Sequence, residues 1–127
     1  MNALFALLIT VTIVGGLAFD QWLPGLGQPM VNVWAWAVFL GLLWRSLPGE
    51  RAALIACLLI ATIGEVVLSL VWGLYDYRLG NLPLFVPPGH ALLYALGLWC
   101  AARLPQAVLS AVLPLAMVTA TLLGISG

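Results

Sequence analysis

The sequence has little of the charge from which a water-facing surface is made. Charged residues form 6% of its 127 residues, there is no lysine, and four arginines balance four acidic residues. Soluble domains carry about 25% charged residues, so this chain cannot surround a core with a hydrated surface. Formal neutrality also argues against nucleic acid as a partner, because binding phosphates requires clustered positive charge.

The residues that build disulfide frameworks, metal sites and phosphate-binding loops are also scarce. The two cysteines, Cys57 and Cys100, lie inside apolar runs and are too few for a disulfide framework, so we interpret them as small core residues. One histidine and scattered carboxylates do not give the ligand spacings of zinc or di-iron sites. Glycine-rich nucleotide-binding patterns are absent. The sequence therefore predicts no metal and no cofactor.

Long apolar runs dominate what remains. Hydrophobic residues make up 65% of the chain and the mean hydropathy is +1.18. A membrane-spanning helix needs about 20 mostly apolar residues. The sequence predicts an all-α, polytopic membrane helical bundle of about five transmembrane helices, forming a single integral membrane domain over residues 1–127. Four spans are the alternative, if the last two segments merge or one lies in the interface. The predicted segments are 2–19, 30–47, 52–75, 88–103 and 106–125.

Arginine positions predict the orientation of these segments. Arg45, Arg51 and Arg103 follow the second and fourth segments, whereas Arg78 falls on the opposite side. The positive-inside rule then gives a cytoplasmic N-terminus and an external C-terminus, in a multi-pass cell membrane protein of the bacterial inner-membrane type. The first apolar run lacks the basic region of a signal peptide, so we expect it to remain as a membrane helix.

Glu65 lies inside the apolar run from 52 to 75. A charged side chain near the bilayer centre costs at least about 2.5–3.5 kcal/mol and usually faces a partner or a cavity. Ser69, Trp72 and Asp76 follow Glu65 at i+4, i+7 and i+11, which predicts one helical stripe. Asp76 would then lie about 16 Å above Glu65. This spacing predicts a polar groove that opens from mid-membrane to the outer face.

A second set of polar residues follows Glu65, between positions 75 and 94. Proton transfer is the chemistry that such a set can perform, because desolvation favours the neutral, protonated form of a carboxyl group and a group nearer water can act as base. We predict Glu65 as the acid, and Asp76 and His90 as bases or positioning groups. His90 is expected to begin the fourth helix, after two prolines and a glycine. The predicted substrate-binding residues are Tyr75, Tyr77, Arg78, Asn81 and Tyr94.

Within this set, Arg78 and Asn81 are expected to recognise a polar head, and Tyr94 to shape the pocket. Structural roles remain open for the same residues. Glu65 can pair with His90, Arg78 or a hydroxyl group to fix helix packing. Asp76 and Arg78 can form an exposed ion pair, worth about 0–1 kcal/mol.

About 25 residues of this region resemble part of the membrane carotenoid-hydratase family, the bisanhydrobacterioruberin hydratases. The resemblance consists of the intramembrane Glu65, a Gly-x-Tyr-x-Tyr motif at 73–77 and a Leu-Pro-Leu-Phe-Val-Pro stretch at 82–87. The chain departs from the family's continuation where Pro-Gly-His follows at 88–90. The resemblance implies acid-catalysed addition of water to a polyene or isoprenoid end.

The function that the sequence predicts is that of a small membrane protein whose outward-facing polar groove binds, and by acid–base chemistry transforms, a lipid or isoprenoid. Whether it is an enzyme is left undecided by the residues alone. One alternative is a non-enzymatic accessory or assembly subunit of a membrane complex. Another is a small proton-coupled transporter acting as a homo-oligomer. The expected partners are membrane lipid and a membrane protein or a second copy of the chain.

Overall fold

The computed structural model describes residues 1–23, 25–74, 76–77, 80 and 82–126, without the side chains of 125 and 126. The described chain is all-helical, which confirms the predicted fold class. Its five α-helices agree in number and order with the five predicted segments. They are α1 (Ala3–Trp22), α2 (Gly27–Arg45), α3 (Pro48–Glu65), α4 (Val86–Ala101) and α5 (Gln106–Ser126), and a π-helix, Val66–Val71, continues α3.

Three of these helices are long and apolar enough to cross a membrane: Ala3–Trp22, Pro48–Val71, which joins α3 to the π-helix, and Gln106–Gly124. The protein is therefore a membrane protein. The other two helices differ from them in length or composition. α4 has 16 residues, fewer than the roughly 20 of a full span, and α2 carries polar residues in its first half. The number of spans beyond three stays a prediction.

The contacts divide the chain into two compact units, Met1–Gly97 and Leu98–Gly127. The core of the first unit takes residues from each of α1 to α4. Trp36 packs edge to face against the core residue Phe39, with ring centroids 5.8 Å apart. In a bilayer such contacts stabilise the bundle by close packing, because lipid tails are as apolar as the core itself. The core residues are Ile9, Val38, Phe39, Leu42, Leu54, Ala91 and Leu92.

α1 and α2 form a close antiparallel pair. Gly27, the first residue of α2, lies so near the end of α1 that a Cβ atom there would stand 2.9 Å from the Cα of Asp20 and from the carbonyl oxygen of Phe19. Further along the pair, the indole Nε1 of Trp34 donates to the hydroxyl of Thr12 at 3.0 Å. Glycine is thus required where the two backbones meet.

The second unit contains the C-terminal end of α4 and all of α5. Arg103 lies 3.9 Å from the centre of the Trp99 ring and donates to the Trp99 carbonyl oxygen at 2.9 Å, so the cation stacks on an aromatic face while satisfying a helix terminus. α5 continues through Pro114.

Candidate functional site

The polar site begins where α3 ends. Glu65 is the last residue of α3, and the chain then changes to the wider π-helical hydrogen-bond pattern. The Trp72 N–H donates to the Val67 carbonyl oxygen at 2.8 Å, and the Leu74 N–H to that of Leu68 at 2.8 Å. Gly73 has φ +64°, a left-handed conformation that glycine adopts without steric cost. Single π-helical turns occur frequently at functional sites.

The prediction of one helical stripe from Glu65 to Asp76 is wrong. After Glu65 the chain is π-helical, and Ser69 is buried whereas Trp72 is 71% exposed. The helix then ends at Val71. Asp76 lies beyond it, exposed, and no hydrogen bond or ion pair joins it to Glu65 or His90 in the described part of the chain. The structure therefore does not bring Asp76 together with the predicted acid.

Tyr77 meets Glu65 instead. Its phenolic hydroxyl donates to Oε2 of Glu65 at 2.5 Å, across 12 positions of the chain. Tyr77 thus lies against the C-terminal end of α3. A hydrogen bond to a carboxyl oxygen restricts the rotation of the group and determines which of its two oxygens remains for other partners.

His90 approaches the other oxygen of the same carboxyl group. Its Nε2 lies 3.6 Å from Oε1 of Glu65. The Glu65 side chain is 12% exposed and the His90 side chain 45%, so the acid is largely enclosed and the imidazole is accessible. An enclosed carboxyl group beside an accessible imidazole is an arrangement that can move a proton between the interior and a bound molecule.

The prediction that His90 begins the fourth helix is wrong by one turn. α4 begins at Val86, so His90 is its fifth residue, and Pro87 and Pro88 lie inside the first turn. Proline is accommodated there because the first N–H groups of a helix have no intrahelical acceptor. As a result Nδ1 of His90 lies 2.9 Å from the Val86 carbonyl oxygen one turn back, which orients the ring.

His90 also borders an apolar cleft between α1, α2 and the start of α4. The cavity volume is about 190 Å³, and its lining is almost entirely apolar. His90 belongs both to this lining and to the contact with Glu65. The cleft is lined by Thr12, Ile13, Leu17, Val31, Ala35, Phe85, Val86, Gly89, His90, Leu92 and Leu93.

Thr12 brings a hydroxyl group to the cleft, and that group is already occupied. It donates to the Leu8 carbonyl oxygen at 2.8 Å and accepts from Nε1 of Trp34 at 3.0 Å. Among the described lining residues, His90 therefore provides the ionisable group. A hydrocarbon chain fits these walls better than a polar molecule, because polar groups buried without partners are costly.

The other predicted substrate-binding residues make no hydrogen bond to Glu65, or lie outside the described part of the chain. Tyr94 is exposed at 39% and is not among the residues that line the cleft, so its pocket-shaping role stays a prediction. Tyr75, Arg78 and Asn81 lie outside the described residues. Sequence reasoning missed the contributions of α1 and α2, because the residues that these helices bring to the cleft are apolar apart from Thr12 and no polar pattern distinguishes their positions.

No protein-family model, no curated protein and no solved structure matches this chain. The interpretation of the site therefore depends on its own geometry. Where the chain is described, no group of three or more histidine, cysteine or acidic residues is arranged to hold a metal ion. The described ionisable groups that the structure brings together are Glu65, Tyr77 and His90.

Proposed function

We propose that this membrane protein binds the hydrocarbon chain of a lipid or isoprenoid in the cleft, and that Glu65 and His90 transfer protons at the end of that chain. The observation that carries the proposal is the double position of His90, which lines the apolar cleft and lies 3.6 Å from Glu65. A chain lying in the cleft is thereby brought to the acid–base pair.

The resemblance to carotenoid hydratases suggests water addition to a double bond as the reaction. Glu65 gives its proton to one carbon of the double bond, and the oxygen of a water molecule bonds to the other carbon. His90 accepts the proton that the water releases. Return of this proton from His90 to Glu65 restores the starting state, so the net reaction is alkene plus water to alcohol. The short path between the two groups supports this cycle.

The proposal includes an orientation. The N-terminus is cytoplasmic and the C-terminus external, in a cell membrane of the bacterial inner-membrane type, which puts Tyr77 and the connection before α4 at the outer face. The support is the distribution of Arg45, Arg51 and Arg103 against Arg78. Single cysteines introduced at residues 47 and 80, in a chain lacking Cys57 and Cys100, can be labelled in intact cells with an impermeant maleimide. Labelling at 80 and protection at 47 is expected, and the reverse pattern overturns the orientation.

Ligand binding is tested by extracting the protein with its surrounding lipid in a polymer nanodisc and identifying the bound molecules by mass spectrometry. Leu93 lines the cleft and is 55% exposed, so Leu93→Trp adds bulk to the cleft without invading the core. Leu98 is 54% exposed and lies outside the lining, which makes Leu98→Trp the matched control. We expect a defined lipid or isoprenoid in the wild type and in Leu98→Trp, and its loss in Leu93→Trp.

The role of Glu65 as the acid is tested with the variant Glu65→Gln, again by mass spectrometry of the molecules bound in nanodiscs. The variant is expected to retain the ligand in its unreacted form, differing from the wild-type ligand by one water. If wild type and Leu93→Trp carry the same bulk lipid, the cleft is not a binding site. If Glu65→Gln holds the same molecule as the wild type, the acid–base role is wrong.

An accessory subunit is the second candidate, and the surface of α5 favours it. α5 is apolar and, over Gln106–Gly124, long enough to cross a membrane, so another membrane protein can pack against it. A polypeptide recovered from the nanodiscs in a fixed ratio to this chain, with only bulk lipid present, would support the subunit role over the ligand-binding one.

A further inference from the structure

Both ring nitrogens of His90 face oxygen atoms. Nδ1 lies 2.9 Å from the Val86 carbonyl oxygen, and a carbonyl oxygen can only accept a hydrogen bond. Nδ1 must therefore carry a hydrogen. Imidazole free in water favours the opposite neutral tautomer, with hydrogen on Nε2, so the backbone of α4 imposes the less common form.

The two oxygens of Glu65 are likewise distinguished. Oε2 accepts the hydroxyl of Tyr77, whereas Oε1 is the oxygen that faces Nε2 of His90. Since Nδ1 is already a donor, Nε2 is the ring nitrogen left to exchange a proton with Oε1. Among the described groups, Oε1 of Glu65 and Nε2 of His90 are therefore the two atoms between which a proton can pass.

We propose that Tyr77 and the Val86 carbonyl group are positioning groups that confine one transferable proton between Oε1 of Glu65 and Nε2 of His90. When the proton moves, the bond between Oε1 and hydrogen breaks and a bond between Nε2 and hydrogen forms. The neutral pair becomes a carboxylate and an imidazolium. Nδ1 keeps its hydrogen in both states, so the ring orientation is unchanged during transfer.

The separation of the two atoms defines how the proton travels. At 3.6 Å, Oε1 and Nε2 are farther apart than the 2.7–3.2 Å of a direct hydrogen bond. A small oxygen-bearing group, either water or a hydroxyl group on the ligand, can contact both atoms at hydrogen-bonding distance and carry the proton across. The pair is thus open to the molecule on which it acts.

Few ionisable groups other than Glu65 lie near His90 in the described chain. From α3, Glu65 faces the ring, while Cys57 approaches the backbone of His90, its Sγ lying 3.9 Å from the carbonyl oxygen. The described residues of α1 and α2 that line the cleft carry no charge. On α4 itself the nearest ionisable neighbour is Tyr94, one turn further on. Glu65 is therefore the described charged group that faces the imidazole.

The chain's single histidine makes the tautomer directly measurable. We would label the full-length protein with 15N-histidine in lipid nanodiscs and record both ring nitrogens. Nδ1 is expected to be protonated, with Nε2 either bare or also protonated. A neutral ring with hydrogen on Nε2 and a bare Nδ1 would overturn the proposal, and this measurement requires no variant.

The role of Tyr77 is tested by the reaction of His90 with diethyl pyrocarbonate, followed by mass spectrometry. Tyr77→Phe retains the ring and removes the hydroxyl that holds Glu65. Without that hydroxyl, Glu65 is no longer held in front of Nε2 of His90. We expect acylation of Nε2 in Tyr77→Phe to be about two- to tenfold faster than in the wild type, the range that corresponds to loss of one hydrogen bond. Tyr94→Phe is the matched control, because in the described chain its hydroxyl contacts neither Glu65 nor His90. Equal rates in the two variants would exclude a positioning role for Tyr77.

This inference rests on the proposed function only for the use to which the transferred proton is put. Experiments can therefore contradict the positioning of the proton without contradicting the proposed function, and the reverse. The tautomer and the acylation rates are measured without added ligand. If Nδ1 carries hydrogen but Leu93→Trp leaves bound lipid unchanged, the positioning stands and the proposed function falls. If ligand binding depends on the cleft but Nδ1 is bare, the proposed function stands and the positioning is wrong.

Discussion

The indole Nε1 of Trp36 donates a hydrogen bond to the carbonyl oxygen of Leu84 at 2.9 Å, joining α2 to the connection before α4 across 48 positions of the chain. Pro83, beside Leu84, is buried, and Phe85 immediately afterwards lines the cleft. The chain just before α4 is thus attached to α2 at Leu84. The hydrogen bond thus links α2 to the residue that precedes the cleft-lining Phe85.

Replacing Trp36 by Phe should destabilise the protein by about 0.5–1.5 kcal/mol, because the Leu84 carbonyl group loses its donor. The smaller ring still packs against Phe39, so the effect isolates the hydrogen bond. Unfolding in detergent, followed by tryptophan fluorescence and circular dichroism, measures the change. Trp44→Phe is the control, since Trp44 is 84% exposed, and equal losses in both variants would contradict the prediction.

Gly73→Ala should destabilise the end of the π-helix. The φ of +64° at this position costs a residue with a Cβ about 1–2 kcal/mol, even though no atom lies within 4 Å of the added carbon. Gly64 also has open space around it and lies within α3, where alanine is favoured over glycine by about 1 kcal/mol. Opposite signs for Gly73→Ala and Gly64→Ala in equilibrium unfolding are expected, and a neutral Gly73→Ala would mean that the turn relaxes.

Gly27→Ala should separate α1 from α2. Its Cβ would meet backbone atoms of Phe19 and Asp20 at 2.9 Å, and backbone cannot rotate away as a flexible side chain can. Overpacking of this kind costs about 1–3 kcal/mol. At Gly15 the nearest atom is Val11 Cγ1 at 3.9 Å, an ordinary contact, so Gly15→Ala should be neutral or stabilising. Thermal unfolding of both variants compares them, and equal stability would show that the helices can shift freely.

Phe39→Ala should cost about 3 kcal/mol, the low end of the range for a buried phenylalanine. The reason is that lipid is as apolar as the core, so the loss comes from the cavity and its missing contacts rather than from transfer to water. Leu40 is the next residue and is 56% exposed. Leu40→Ala should therefore change stability by less than about 0.5 kcal/mol. Denaturant titration in mixed micelles measures both, and a cost below 1 kcal/mol for Phe39→Ala would indicate that the core is loosely packed.

Much of the helical order follows from the sequence. Apolar runs interrupted by glycine and proline put the five helices within a few residues of their positions, and α5, predicted over 106–125, spans Gln106–Ser126. Hydropathy and turn chemistry are local properties, so they can be read without knowledge of the tertiary contacts. Glu65 was identified for the same reason, since a carboxyl group in a hydrocarbon run is conspicuous by itself.

What the sequence does not predict depends on deviations from ideal helices and on long-range contacts. The predicted stripe from Glu65 to Asp76 assumes an uninterrupted α-helix. In the structure the α-helix gives way to a π-helix, and Gly73 has a left-handed conformation before Asp76 is reached. The contact of Tyr77 with Glu65 requires a return of the chain that no periodicity specifies. The cleft cannot be predicted for another reason, because apolar residues are spread around α1 and α2 and give no pattern that selects a buried face.

The π-helix at Val66–Val71 also predicts how relatives of this protein should differ from it. A π-helical segment holds one more residue than the α-helical turns that would fill the same position, so a related chain with a continuous α-helix should be one residue shorter just after the glutamate. Aligning two such chains without a gap would put the wrong residue opposite Ser69 and displace every later position. A distant relative with the same acid should therefore show a single deletion in this short stretch. It should retain residues equivalent to Glu65 before the deletion and to Tyr77 after it.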